Sequence, residues 1–402
     1  MIKKLKAREI LDSRGNPTVE VSLITDYGEF LSSVPSGAST GAHEAKELRD
    51  GGIRYRGRGV LKAVDNINQK IAPLFLNKEI DPLLFDRVMI ELDGTEDKSN
   101  IGANAILPVS MSFFRAAAAK EGKSLYEYLA KDFSNNLKMP IPFFNIVNGG
   151  AHGHGGVRFQ EFMIVPQEEK FSDNLRFAVE FSEKLKEEIQ EKYGKDSTNI
   201  GDEGGFVPKI ESERDVLMLF KKVNSDIPIV IDVAATEFYN NGEYSFQGRN
   251  LKKEEMINYY ESIINDFYLL GIEDPLEEND FWGWGELRKK LENILIIGDD
   301  LLATNTKRME TAFNSNSCNA MILKMNQIGS VSEALSAVKK AKEFGWEIVV
   351  SHRSGETNDD FIADFAVGVG AKYIKAGAPK RGERVAKYNR LLKIEENLNN
   401  VK

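Results

Sequence analysis

The chain has 402 residues, 53 of them basic and 62 acidic, for a net charge of −9. That length supports two domains and a large core, and the acidic balance argues against non-specific attachment to nucleic acid or anionic lipid. A single cysteine, Cys318, excludes an intrachain disulfide and a cysteine-cluster zinc site, as expected in a reducing compartment.

Residues 1–8 are basic but lead into no apolar run, so no secretory leader is expected. Residues 18–25 alternate with period two, Tyr27, Gly28 and Glu29 make a turn, and residues 30–34 resume the alternation, which predicts a hairpin. Residues 33–41 are small, as in a plain linker or in a mobile loop that closes over a charged substrate. Helices are expected over 61–75 and 104–120, and Pro108 should bend or shorten the second. The most apolar stretch, 103–119, is broken by Asn104, Pro108, Ser110 and Arg115 and is too short and polar to span a bilayer. A cytoplasmic location follows as the default expectation. Residues 1–131 read as a small α+β domain and 132–142 as a linker.

Residues 140–402 match in length the roughly 250 residues of an eight-fold βα barrel. Segments 158–165 and 199–203 are read as its first strands, with helices at 174–193 and 213–223. Six later apolar runs then end in Asp232, Glu273, Asp299, Lys324, His352 and Lys375, the last five roughly 25 residues apart, one strand–helix unit per step. Helices at 285–291, 306–313, 331–344 and 359–367 fill the intervals. The expected fold is α/β, a modified TIM (β/α)8 barrel over 140–402 preceded by the smaller α+β domain over 1–131. Catalytic groups in such barrels sit at the carboxyl ends of the strands.

Three acids at one barrel mouth would repel: two unit charges about 4 Å apart cost roughly 4 kcal/mol at an effective dielectric of about 20. Asp232, Glu273 and Asp299 either cap the helices that follow or gather around a cation, and an all-oxygen set favours Mg²⁺ over zinc. Lys324 and Lys375 end buried-looking strands, where a lysine needs a partner; beside a metal its ammonium pKa should fall, which suits a general base. Residues 201–205 place Asp202 and Glu203 in a glycine loop, and 351–356 offer Arg353 and Ser354 to an anion. His152 and His154 share a second glycine loop, more often polar than metal-binding. No Gly-x-Ser-x-Gly, no phosphate-loop lysine and no dinucleotide fingerprint is present.

Taken together, residues 7–20, 34–41, 92–96, 148–152, 160–163, 201–206, 272–275, 323–329, 350–357 and 374–379 resemble the enolase family over nearly the whole chain. The resemblance implies reversible dehydration of 2-phosphoglycerate to phosphoenolpyruvate with two Mg²⁺ per site, the second arriving with substrate. It assigns Asp232, Glu273 and Asp299 to the first ion and Ser39 to the second. It makes Lys324 the base at C2 and Glu203, helped by Glu161, the acid at the C3 hydroxyl. Lys375 would hold the enolate, Arg353 and Ser354 the phosphate, with His152, Gln160, His352 and Asp300 lining the site. It further implies a homo-oligomer, dimer or octamer; no nucleic-acid or membrane partner is evident in the sequence, whose charge is acidic. Pro108, His154, Arg158, Ala376 and Gly382 depart from the family pattern. Two rivals stay open: another barrel enzyme that enolises an unphosphorylated acid, and a binding protein built on the same scaffold.

Overall fold

The computed structural model describes residues 1–37, 41–133, 137–153 and 156–400; Ser39 and His154 lie outside the described residues. Near the N-terminus, β1 (Ile2–Leu11), β2 (Pro17–Thr25) and β3 (Gly28–Ser33) form an antiparallel meander. Alternate residues Val19, Val21 and Leu23 turn inward from β2 against the helix Ala103–Lys120. That helix runs through Pro108 and is not shortened by it. Pro108 forfeits one hydrogen bond, at a cost of about 3 kcal/mol, but Ile106, Leu107, Val109 and Phe113 bury around it and hold the helix together. Helix Pro82–Asp93 starts on Asp81, whose side chain accepts from Leu84 N–H, and stops at Gly94 in the left-handed region.

The barrel comprises β4 (Ile141–Asn148), β5 (Glu161–Ile164) and β6 (Ile229–Asp232). A small outlying sheet of β7 (Tyr239–Asn240), β8 (Glu243–Phe246) and β9 (Arg249–Leu251) follows. Closure comes from β10 (Leu269–Glu273), β11 (Leu295–Gly298), β12 (Ala320–Leu323), β13 (Glu347–Ser351) and β14 (Tyr373–Lys375), which pairs back onto β4. All barrel ladders are parallel except those of β5, which runs antiparallel to both neighbours. Two helices, Phe171–Tyr193 and Glu213–Val223, stand in succession between β5 and β6.

One expected strand is corrected. Residues 199–203 are not a barrel strand; they enter a glycine turn, with Gly204 at φ 85, tied down by isolated bridges from Phe206 to Ile200 and Val147. The missing strand is β4, from a stretch whose prolines look like linker punctuation. Pro142 instead sits near the start of β4, and Phe143, Phe144, Ile146 and Val147 are buried beyond it.

Inside the barrel, Phe143, Met163, Val230, Ile297, Ala320, Ile322, Val349 and Tyr373 form one apolar cluster. The N-terminal lobe is stitched across the barrel top by paired backbone bonds between Ser36 and Gly355 (2.8 and 2.9 Å) and by Arg115 to Asp359 (2.9 Å). Among the described residues no helix is long and apolar enough to cross a membrane.

Candidate functional site

Strand register assembles the site. Glu273 on β10 stands opposite Asp232 on β6, which in turn stands opposite Glu161 on β5. Asp299, Lys324 and His352 directly follow β11, β12 and β13, and Lys375 closes β14. Asp232, Asp299, Lys324, His352 and Lys375 line one cleft, together with Gln160, Glu161, Glu203, Asp300, His152, Arg353 and Ser354. Glu273, fully buried, meets this group through Lys375.

The Lys375 ammonium lies 2.8 Å from Glu273, 2.9 Å from Glu161 and 3.5 Å from Asp232. Burial works against that charge, yet Glu161, Glu273 and Asp232 hold its pKa well above the ordinary lysine value. In return, burial and mutual repulsion push Asp232 up to about 6 and Glu273 well above the usual carboxylate range, with Lys375 pulling the other way. These acids therefore have less positive charge around them than they need. Lys324 is ion-paired to Asp299. Burial lowers the Lys324 pKa, but Asp299 outweighs burial and holds it above its ordinary value; the fall expected beside a metal ion concerns the ion-bound site.

On the opposite wall, Glu203 lies between two histidines. His152 Nδ1 is 3.2 Å from Glu161 and 3.5 Å from Glu203, and His352 Nε2 is 3.1 Å from the other oxygen of Glu203. Asn145 Nδ2 donates to that same oxygen at 3.0 Å. Burial raises the Glu203 carboxyl, but the charges that His352 and His152 carry when protonated bring it well below its ordinary value. The Arg353 guanidinium is buried against Glu44 (2.9 and 3.1 Å) and Asn326 (2.9 Å).

Several residues of this site went unmarked in the sequence reading. Glu44 comes from the N-terminal lobe and reaches Arg353 across the lobe boundary. Gln327 Nε2 donates to Asp299 at 3.0 Å, and Asp274 accepts from the backbone N–H of Asp299 (2.9 Å) and Asp300 (2.7 Å). Asp274 stands beside Glu273 at a strand end and holds a left-handed φ of 43, so proximity to a strand terminus was the one available signal. Glu44 and Gln327 carried none, because their partners are distant in sequence.

Two groups bring ligand atoms within 4.8 Å of one another: Asp274, Asp299 and Asp300, and His152, Glu161 and Glu203. Either group could hold a metal ion; among the described residues the expected set of Asp232, Glu273 and Asp299 is not one of them, only Asp299 being shared. Gln160 donates to Asp232 at 3.1 Å, while its own buried Oε1 has no hydrogen-bond partner among the described residues. Burial and Asp299 push Asp300 up to about 8. Hard oxygens short of positive charge suit a hard divalent cation of the Mg²⁺ or Ca²⁺ kind better than the softer zinc or copper ions.

Residues 2–129 match the family model described as the enolase N-terminal domain, and residues 136–402 match that of the enolase C-terminal TIM barrel domain. Enolase 1 of Entamoeba histolytica is 46% identical over 422 aligned positions, which take in all of this chain and 97% of that relative.

Proposed function

This chain belongs to the enolase family, and from that premise we propose how its residues divide the reversible dehydration of 2-phosphoglycerate to phosphoenolpyruvate, the carbon–oxygen lyase step of glycolysis. The observation that carries the reading is a single cleft lined by Lys324, Lys375, Glu203, Arg353 and the acids Asp232 and Asp299.

Arg353 and Ser354 grip the phosphate, and Gln160, His152, His352 and Asp300 complete the walls. Lys324 takes the C2 proton, which is very weakly acidic because it sits beside a carboxylate. Lys375 is fixed by three acids and meets the charge that develops on the substrate carboxylate as the enolate forms. Glu203 delivers a proton to the departing C3 hydroxyl, with Glu161 beside it.

Asp232, Glu273 and Asp299 would hold one Mg²⁺, and Ser39 a second that arrives with substrate. Bound there, the ions supply Lewis-acid neutralisation of the enolate charge. Asp299 now keeps Lys324 protonated, so an acid committed to a cation leaves Lys324 freer to act as a base. We also take the enzyme to work in the cytoplasm as a homo-oligomer, dimer or octamer, which sedimentation of the purified chain will distinguish.

Ultraviolet absorbance of the enol phosphate tests the activity. Absorbance should rise when 2-phosphoglycerate and Mg²⁺ are added and stop with chelator. Folded protein that is silent with Mg²⁺, or that acts instead on an unphosphorylated hydroxy acid, contradicts the reading.

A further inference from the structure

The C-terminal helix Gly382–Asn400 sends one fully buried arginine behind the catalytic loops. Arg384 Nη1 lies 2.5 Å from His352 Nδ1 and donates to the carbonyl of Arg353 at 2.6 Å. Its Nη2 donates to the carbonyls of Ser354 (2.5 Å) and Asp202 (3.1 Å). One guanidinium thus ties the phosphate-gripping loop, the glycine loop that carries Glu203 and the imidazole between them.

We propose that Arg384 is a positioning residue that fixes His352 as the neutral Nε2–H tautomer, so that Glu203 faces a neutral ring rather than an imidazolium. This inference rests on the reading of Glu203 as the acid at the C3 hydroxyl. A guanidinium has donors and no acceptor, so the ring nitrogen beside it must present a lone pair. A proton on Nδ1 would set N–H against N–H at 2.5 Å. The single imidazole proton therefore sits on Nε2, which lies 3.1 Å from Glu203 without the alignment of a hydrogen bond. Burial also keeps His352 below the ordinary histidine range, and Arg384 adds to this against the opposing pull of Glu203 and, more weakly, Glu161.

The other flanking histidine is tuned the opposite way. Burial opposes a charge on His152, but Glu203 and Glu161 both face its Nδ1 and hold its pKa above the ordinary value. Glu203 thus has one histidine biased toward the cation and one held neutral. If both were imidazolium, the carboxyl would give up its proton too readily to serve as an acid at the leaving hydroxyl. Without Arg384, His352 is free to take a second proton.

The test begins with the wild-type enzyme. Only four histidines exist, so ¹⁵N-histidine spectra are simple, and His352→Gln identifies the resonances of that ring. An unprotonated Nδ1 and a protonated Nε2 on His352 down to about pH 6, below the ordinary histidine pKa of about 6.5, are expected. A protonated Nδ1 or an imidazolium overturns the proposal, whether or not the chain acts on 2-phosphoglycerate. In Arg384→Met, water elimination should fall by at least tenfold and by no more than the roughly 10²–10⁴ that general acid catalysis supplies, while C2 proton exchange with solvent continues. Arg384→Lys should recover part of the loss. Equal loss of both steps in folded Arg384→Met, or loss of neither, contradicts the proposal. Should Arg384→Met fail to fold, the wild-type spectrum decides alone.

Discussion

The inside of the barrel and its mouth are built on the same strands, yet they use burial in opposite ways. Within the barrel Phe143, Met163, Val230, Ile322, Val349 and Tyr373 exclude water, and each such side chain stabilises the fold by about 1.5–3 kcal/mol. At the strand ends Asp232, Glu273 and Lys375 are equally buried, but a charge out of water costs several kcal/mol unless a partner is held against it. The contrast teaches that the interior supplies stability which the mouth consumes to keep charges desolvated for chemistry. Changes in the interior should therefore lower stability and leave turnover intact. Changes at the mouth should destroy turnover, and affect stability only through the charges left without partners.

Lys375→Met should give the largest effect. It strands Glu161, Asp232 and Glu273 together, so we expect a stability loss of about 3–5 kcal/mol, abolished turnover and partial thermal recovery on adding Mg²⁺. An unchanged melting temperature without metal would show that the three acids do not depend on this cation. Ile322→Ala, inside the barrel, should cost about 2–5 kcal/mol in denaturant titrations while turnover per folded molecule stays at the wild-type value. Lost turnover at full folding would dissolve the division between interior and mouth.

Asp86 sharpens the comparison, as a buried acid outside the mouth. Ser110 Oγ (2.8 Å) and Ser332 N–H (3.0 Å) both donate to one of its oxygens, and burial pushes its pKa from about 4 to about 6. Through that window only the folded chain keeps the proton, so stability should fall as pH rises from about 4 to 6 and level off above, by about 3 kcal/mol at most. Asp86→Asn should remove that slope in denaturation curves taken across the window. An identical slope in the variant would assign it to other groups. The smallest effect belongs to the exposed pair Lys307 and Glu96: Glu96→Gln should leave both the melting temperature and turnover unchanged, and a clear shift in either would be unexpected.

Much of the site was legible because a parallel barrel strand reads as an unbroken apolar run, so a lone polar residue at its end stands out. Asp232, Glu273, Lys324 and Lys375 carry that mark; the register of β6 and β10 sets Asp232 opposite Glu273, and the Lys375 ammonium reaches both. β4 was obscured by Pro140 and Pro142, since proline marks linkers and strand starts alike. The helix Gly382–Asn400 escaped notice for a different reason. Its buried face includes Arg384, Lys387 and Glu395, so the apolar stripe that reveals a helix is interrupted by charges, two of which hold residues 352–357 while Glu395 caps the helix Phe171–Tyr193. Glu44 and Gln327 were illegible in principle, because their meaning lies in Arg353 and Asp299, far along the chain. Lys324 showed its place but not its charge state: a strand end discloses position, and only the neighbour Asp299 discloses how tightly the proton is held.

Removal of the C2 proton by Lys324 is the proposed step on which the other residue roles depend. Exchange of that proton into deuterated water, followed by NMR of 2-phosphoglycerate with Mg²⁺ present, tests it most directly. Wild-type enzyme should exchange the proton and folded Lys324→Ala should not. Equal exchange by the two proteins would contradict the account.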